Sequence, residues 1–280
     1  SEVLPEIKEY ERGIATWINA WIGPLVDRYL SRLVDELPKA QISVMQSSGE
    51  TVAADQAGVH AVRMLLSGPA GGLVGARYVG KAAGCDRLLS FDMGGTSTDV
   101  ALLDGEPNLT GDGRIWRYPV AVPMVDMHTI GAGGGSIAQV DAGGMLLVGP
   151  ESAGANPGPA CYGLGGTQPT VTDANLVLGR LRPDAFLGGG MSLDVTAARQ
   201  AVGELAKTMG CSIEEAALGI IQVADEHMVQ ALRVISVQRG EDPRHYTLAS
   251  FGGAGGLHVC SLAEALGMDR ALAPVHAGVL

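Results

Sequence analysis

The run Ser90-Phe91-Asp92-Met93-Gly94-Gly95-Thr96-Ser97-Thr98-Asp99-Val100 constrains this chain more than any other stretch of it. An apolar strand, Arg87 to Phe91, enters an aspartate, two glycines and a cluster of hydroxyls, and a second apolar strand, Val100 to Leu103, leaves. The glycines let the backbone turn tightly and let a bulky anion approach its N–H groups. Thr96, Ser97 and Thr98 offer hydroxyl donors to phosphate oxygens, and Asp92 is suited to hold a magnesium-bound water. The flanks predict strand–turn–strand, which separates this loop from the P-loop and the dinucleotide fingerprint, where a helix follows the glycines. Gly-Gly alone reads as an ordinary hairpin turn; the aspartate and hydroxyls around it favour a phosphate site.

Composition narrows what such a site can serve. At 280 residues and 46% hydrophobic, the chain can bury a substantial core. Its net charge of −11 argues against nucleic acid and against an anionic membrane surface. It does not argue against a nucleotide, because clustered N–H groups create a local positive field. No apolar run reaches the ~18 residues of a membrane span, and no signal-peptide pattern opens the chain. Cys85, Cys161, Cys211 and Cys260 are widely spaced and form no metal or disulfide motif, which fits reduced thiols in the cytoplasm. Glycine is the outlier, at 41 residues, about twice the usual ~7% share. It is clustered, so it marks turns with special backbone geometry.

Two further clusters follow predicted strands: Ile130-Gly131-Ala132-Gly133-Gly134-Gly135-Ser136 and Phe251-Gly252-Gly253-Ala254-Gly255-Gly256. Around them the periodicity predicts a long helical region over 7–37, bent or broken at Gly23-Pro24, and a strand over 42–46 with a helix through about Leu66. A helix opening at Ser67-Gly68-Pro69 and ending at Gly84 comes next, then a strand-rich stretch over 86–148. Residues 149–170 read as a long ordered loop, followed by helices near 173–180, 194–208 and 213–238. Ser212 and Glu215 form a capping box, and Gly240 stops the last of these helices. Tyr246 to Phe251 reads as a strand and Leu257 to Leu266 as a helix ended by Gly267.

Three glycine turns, each after a strand, resemble the actin/sugar-kinase/chaperone ATPase superfamily, whose lobes share a ribonuclease H-like core. At finer grain, Val3-Leu4-Pro5-Glu6, Ser67-Gly68-Pro69-Ala70-Gly71-Gly72, Phe91 to Asp99 and Thr129 to Ser136 are similar to the hydantoinase A/5-oxoprolinase family. So are Val148-Gly149-Pro150-Glu151-Ser152-Ala153-Gly154, Asn156 to Gly163, Thr170 to Asn175 and Phe251 to Gly255, all in the family's order. The resemblance implies an α/β actin-like ATPase lobe with a mixed sheet, flanking helices and a long N-terminal helical region. On that reading residues 1–40 are a helical lead-in and 41–280 the lobe, with 149–170 inserted.

It also implies ATP and Mg2+, and an enzyme that opens cyclic amides such as hydantoins or 5-oxoproline after phosphoryl activation. A B-type hydantoinase subunit or fused domain is the implied partner. ATP-dependent ketone carboxylation and a non-catalytic nucleotide-binding scaffold are the alternatives. Asp92 would hold the metal-associated water, and Gly94, Gly95, Thr96, Ser97 and Thr98 would cradle phosphate. Gly131, Gly133 and Gly134 would close the site near the transferred phosphoryl, and Gly252, Gly253, Gly255 and Gly256 would face the nucleoside. The family's additional Asp-Gly-Gly-Thr loop has no copy here, and Gly256 stands where proline is common. The chain is therefore expected to be the central domain of a longer protein, without turnover of its own.

Asp126 and His128 are two apart, which on one strand places both side chains on one face, as an acid/base pair or metal ligands. An Asp–His hydrogen bond organising the loop is the competing reading. His258 reads as a residue beside the third glycine turn with no chemistry, Asp173 as a helix cap with Thr172 as rival, and Cys161 as packing. Asp225 and Glu226 read as the solvated face of their helix.

Overall fold

The computed structural model describes residues 2–115 and 117–279. The chain divides into two compact units: Ser1–Ala82 with Leu102–Asp126, and Ala83–Ala101 with Met127–Leu280. No boundary falls at residue 40; the helical lead-in shares its unit with 41–82 and 102–126.

In the first unit, α1 spans Glu9–Glu36 and runs through Pro24 without a break, contrary to the expected interruption. Proline removes one intrahelical donor there. Burial on the helix's inner face, on both sides of the proline, keeps it continuous: Ile18 packs on Val62, Val120, Val122 and Met124, and Leu30 on Ala54 and Ala57. Residues 43–53 form a hairpin of β1 (Ser43–Met45) and β2 (Thr51–Ala53), and the helix expected through Leu66 is reduced to single turns at Ala54–Ala57 and Ala61–Met64. Gly49, at φ +83, makes that hairpin turn, a local signal that helical periodicity overlooked. Helix α2 (Ser67–Ala82) and two short hairpins, Leu109–Thr110 with Met124–Val125 and Gly113–Ile115 with Tyr118–Val120, complete the unit.

The second unit is built on a mixed sheet. Strands β3 (Arg87–Met93) and β4 (Thr98–Asp104) flank the Asp92 turn as expected, β4 ending in the first unit's residues. Strand β5 is His128–Ile130, and β6 (Ser136–Val140) with β7 (Leu146–Ser152) is an antiparallel hairpin. Helices α3 (Val171–Val177), α4 (Val195–Met209) and α5 (Ile213–Ile235) follow. Then come β8 (Thr247–Phe251), the one-turn α6 (Gly252–Gly255), α7 (Val259–Leu266) and β9 (Ala271–Leu272).

The sheet order is β5-β4-β3-β8-β9. Strands β8 and β3 are parallel in register Thr247↔Leu88 to Phe251↔Asp92, and β9 is parallel to β8, whereas β5 is antiparallel to β4. All of β8 is buried, and Leu88, Leu89, Phe91 and Met93 of β3 are too, as expected of strands covered on both faces. The apolar stripe of α5, including Ile220, Ile221, Met228, Leu232 and Ile235, is fully buried. The parallel pairing has one functional consequence: β3 and β8 deliver the Asp92 turn and the Gly252 turn to the same edge of the sheet, where open α/β sheets bind ligands. No helix among the described residues is long and apolar enough to cross a membrane.

Candidate functional site

The Asp92 turn is closed by the Gly94 N–H donating to the Ser97 carbonyl at 3.0 Å. The next three N–H groups, of Gly95, Thr96 and Ser97, donate to nothing among the described residues, and Gly95 and Thr96 are exposed. Facing solvent rather than the core, these donors carry no burial penalty and stay free for a ligand. A run of three left open at a sheet edge is what anion recognition requires. Asp92 and Asp99 lie at the two ends of the turn, both half-buried. Burial, and then the charge of Asp99, push the Asp92 carboxyl above its ordinary value; burial also raises Asp99, partly offset by the hydroxyl hydrogen bond from Thr129. Neither carboxylate has a cationic partner among the described residues. Two acidic groups desolvated side by side fit a divalent cation that keeps water and phosphate as its other ligands. Among the described residues no cluster of three or more His, Cys, Asp or Glu is poised to hold a metal. Asp99 is not among the site residues the sequence suggests: the strand–turn–strand pattern returns it beside Asp92, but only the fold shows that both carboxyls are desolvated.

The second glycine run serves the first. Gly134 and Gly135 donate their N–H groups to the carbonyls of Gly94 (3.0 Å) and Gly95 (2.7 Å), and Gly133 donates to Ser136 Oγ at 2.9 Å. A Cβ on Gly133 would stand 2.7 Å from the Gly95 carbonyl carbon and the Thr96 nitrogen; one on Gly135 would stand 2.9 Å from the Gly95 carbonyl oxygen. These glycines are required by close backbone approach, and their donors are spent. Gly133 and Gly134, expected to close on a phosphoryl group, spend their own N–H donors within the protein, Gly134 on the Asp92 turn and Gly133 on Ser136. Thr98 likewise departs from its expected role: its buried hydroxyl donates to the Ala132 carbonyl at 2.6 Å.

The third run is a one-turn helix rather than an open loop. Gly252 takes φ +78, and a Cβ on it would overlap Asp92 Oδ1, so this glycine lets the chain pass over the Asp92 carboxylate. Gly255 is buried against the Phe91 ring and Ser250. Gly253, with Ala254 and Leu257, lines a cavity of 540 Å³ whose other walls include Gly94, Gly95, Gly134 and Thr172. Gly131, Gly252, Gly255 and Gly256 are outside that lining.

Opposite the glycines, the same cavity is walled by Tyr162, Phe186, Leu187 and Arg182. The Tyr162 and Phe186 rings stand 5.7 Å apart and tilted by 44°, so each offers its own aromatic surface to the cavity wall. Among the described residues the exposed Arg182 pairs only with the exposed Asp184, at 2.9 Å, and it is the one lysine or arginine in the cavity lining, a charged donor suited to phosphate. Sequence reading missed this wall; Arg180-Leu181-Arg182 directly after a helix end was its only signal.

Asp126 and His128 are not carried on one strand. The chain leaves β structure at Asp126 and Met127, so side-chain alternation no longer fixes a common face. Asp126 closes the first unit, its N–H donating to the Asn108 carbonyl at 2.7 Å, and His128 opens β5 in the second. Asp225 is not solvated: it accepts from Ser261 Oγ at 2.7 Å and meets Nδ1 of the fully buried His258 at 2.5 Å. Asp173 is the third residue of a capping box whose cap is Thr170, not the cap itself. Its buried carboxylate accepts from the N–H groups of Ala160 (3.2 Å), Cys161 (2.8 Å) and Thr170 (3.0 Å) and from Thr170 Oγ1 (2.8 Å). Cys161 is buried, and desolvation together with the Asp173 charge drives its thiol far above the usual range, which leaves it inert.

Comparison with known proteins agrees with this picture. A family model described as hydantoinase/oxoprolinase matches residues 12–280. The chain is 45% identical to the caprolactamase subunit alpha of Pseudomonas jessenii over 98% of its own length and 40% of that protein. It is 36% identical to 5-oxoprolinase 1 of Arabidopsis thaliana over its whole length and 24% of that protein, and 38% identical to the acetophenone carboxylase gamma subunit of Aromatoleum aromaticum over 93% and 36%. Among solved structures it superposes on the ATP-dependent caprolactamase of Pseudomonas jessenii with a TM-score of 0.86 at 44% identity, covering 100% of this chain and 41% of that one. A nucleotide-free acetone carboxylase gives 0.79 at 33% identity, over 89% and 36%. The chain thus spans about two fifths or less of the relatives it matches. The mixed sheet with flanking helices is the actin-like ATPase architecture that the glycine turns implied.

Proposed function

The chain belongs to the hydantoinase/oxoprolinase family, and on that footing we propose that it is the phosphate-holding part of an ATP-dependent enzyme that activates a cyclic amide. One observation carries the reading: three open N–H groups on the Gly95–Ser97 turn, set between two desolvated aspartates and held rigidly by a second glycine run. Transfer of the γ-phosphoryl to the amide oxygen would convert a poor electrophile into an imidate ester with a phosphate leaving group. Water then adds to the ring carbon, the ring nitrogen takes a proton and leaves as the C–N bond breaks, and a second water hydrolyses the resulting acyl phosphate to carboxylate and inorganic phosphate. The chain's contribution is positioning and electrostatics, which is most of what phosphoryl transfer needs. The 95–97 N–H groups receive the phosphate oxygens, Arg182 adds a charged donor, and Tyr162 and Phe186 offer aromatic surfaces for the base. Asp92 and Asp99 would hold Mg2+, which supplies neutralisation of the phosphate charge when bound. A companion B-type subunit or fused domain would take up the activated amide.

Ketone carboxylation is the second reading, favoured by the acetophenone and acetone carboxylase relatives. Phosphate release from ATP by the full-length protein, in the presence of a lactam, of a ketone with bicarbonate, or of neither, separates the two. Stimulation by the lactam alone is expected. Stimulation by the ketone alone would move the assignment, and stimulation by neither would remove it.

A further inference from the structure

The 131–134 turn that presents Gly134 to the phosphate cavity also presents Gly131 and Ala132 to another cavity of the second unit, of 340 Å³. Its walls are unlike those of the first. His128 and Ile130 come from β5, Val148 from β7, and His227, Gln230 and Val234 from α5. Residues three and four apart on a helix share a face, so the two polar side chains of α5 stand together above an apolar floor. Lysine, arginine, aspartate and glutamate are all missing from the lining among the described residues. The volume is at the small end of ligand sites, which run from about 300 to 1,000 Å³.

We propose that this cavity receives the carbonyl compound that is to be activated, and that it selects an uncharged ring amide over a carboxylate-bearing one. The assignment rests on the phosphoryl-transfer reading of the neighbouring turn. Its chemistry is separate. Apolar walls and two imidazoles with one carboxamide match a ligand with a single amide edge and a hydrocarbon remainder. A ligand carboxylate here would meet no lysine or arginine among the lining residues, whereas an uncharged amide needs none. Ring amides of the lactam or hydantoin type satisfy the cavity; 5-oxoproline, with its carboxylate, does not. One glycine turn would then serve both reactants, holding the phosphate loop with one end and walling the ring site with the other.

The test measures binding of 2-piperidone and of 5-oxoproline to the full-length protein with any companion subunit, by calorimetry, alongside nucleotide binding and ATP turnover. The parent is expected to prefer 2-piperidone at least tenfold. The pair His227→Ala with Gln230→Ala, at exposed positions, and separately Val234→Phe, which fills the cavity from its apolar side, should each weaken lactam binding tenfold or more. Nucleotide affinity should stay unchanged in both. Equal binding of the two ring compounds by the parent would overturn the selectivity. Lactam binding and lactam-stimulated turnover at parental levels in both variants would overturn the site and leave the phosphoryl-transfer reading intact. A parent that neither binds a carbonyl compound nor hydrolyses ATP in response would take down both.

Discussion

Asp92 carries a conflict that its neighbours do not relieve. Burial, and then the charge of Asp99, holds its carboxyl above the ordinary value of 3.8, and burial raises Asp99 as well. A carboxyl raised in the folded state binds its proton more tightly there than in the unfolded chain. The stability it contributes is full below 3.8 and is lost as pH rises through the folded value, so at pH 7 the penalty is complete. Asp92→Asn should melt at or above the parent temperature at pH 7, with the difference closing as pH falls below 3.8, while turnover drops about 100-fold or more. A melting temperature far below the parent's would show that Asp92 braces the fold. The glycines make a sharper pair. Gly133→Ala places a methyl 2.7 Å from backbone atoms of residues 95 and 96 and should destabilise by about 1–3 kcal/mol in chemical denaturation. Gly95→Ala meets nothing within 4 Å and should fold within about 0.5 kcal/mol of the parent, yet bind nucleotide more weakly, because residue 95 faces the cavity.

At the scale of elements, one carboxylate ties the 153–169 loop to α3. Asp173 accepts four hydrogen bonds, three of them from backbone N–H groups, of Ala160 and Cys161 in the middle of that loop and of Thr170 just past its end. An asparagine turns an NH2 group toward donors, and each buried donor left over costs about 1–3 kcal/mol. Asp173→Asn should therefore lower stability by about 2 kcal/mol or more and open residues 153–169 to limited proteolysis first. Such ties explain which elements sequence reading recovers. Ser212 and Glu215 were legible as a capping box because every participant lies within one turn. Thr170 and Asp173 follow the same plan, but aspartate in place of glutamate, with a second threonine between, blurred it. Asp225 is a failure of another kind. Helical spacing alone puts it outward, and only tertiary packing brings His258 and Ser261 of a distant helix to meet it.

For the molecule as a whole, the Asp92 turn was readable because it rests on short-range patterning, a β-run, a glycine turn and a β-run, whereas the mixed sheet, whose parallel pairing joins residues far apart in sequence, was reached through the family resemblance. The division into two units was not readable, because β4 belongs to both and residues 102–126 return to the helical lead-in. The site was half legible for the same reason. Glycine clusters announce that backbone will approach something closely, but not whether it is a ligand or another turn. Here the second run approaches the first. That arrangement bears on time as well as on affinity. The carbonyls of Gly94 and Gly95 are already engaged, so no bond within the turn must break before an anion is accepted. Stopped-flow mixing with a fluorescent ATP analogue should give a single exponential whose rate rises linearly with nucleotide concentration and does not saturate. A plateau would reveal a slow rearrangement ahead of binding. The anchored turn predicts the behaviour of a rigid receptor, with residence time, rather than opening, setting how long the nucleotide is held.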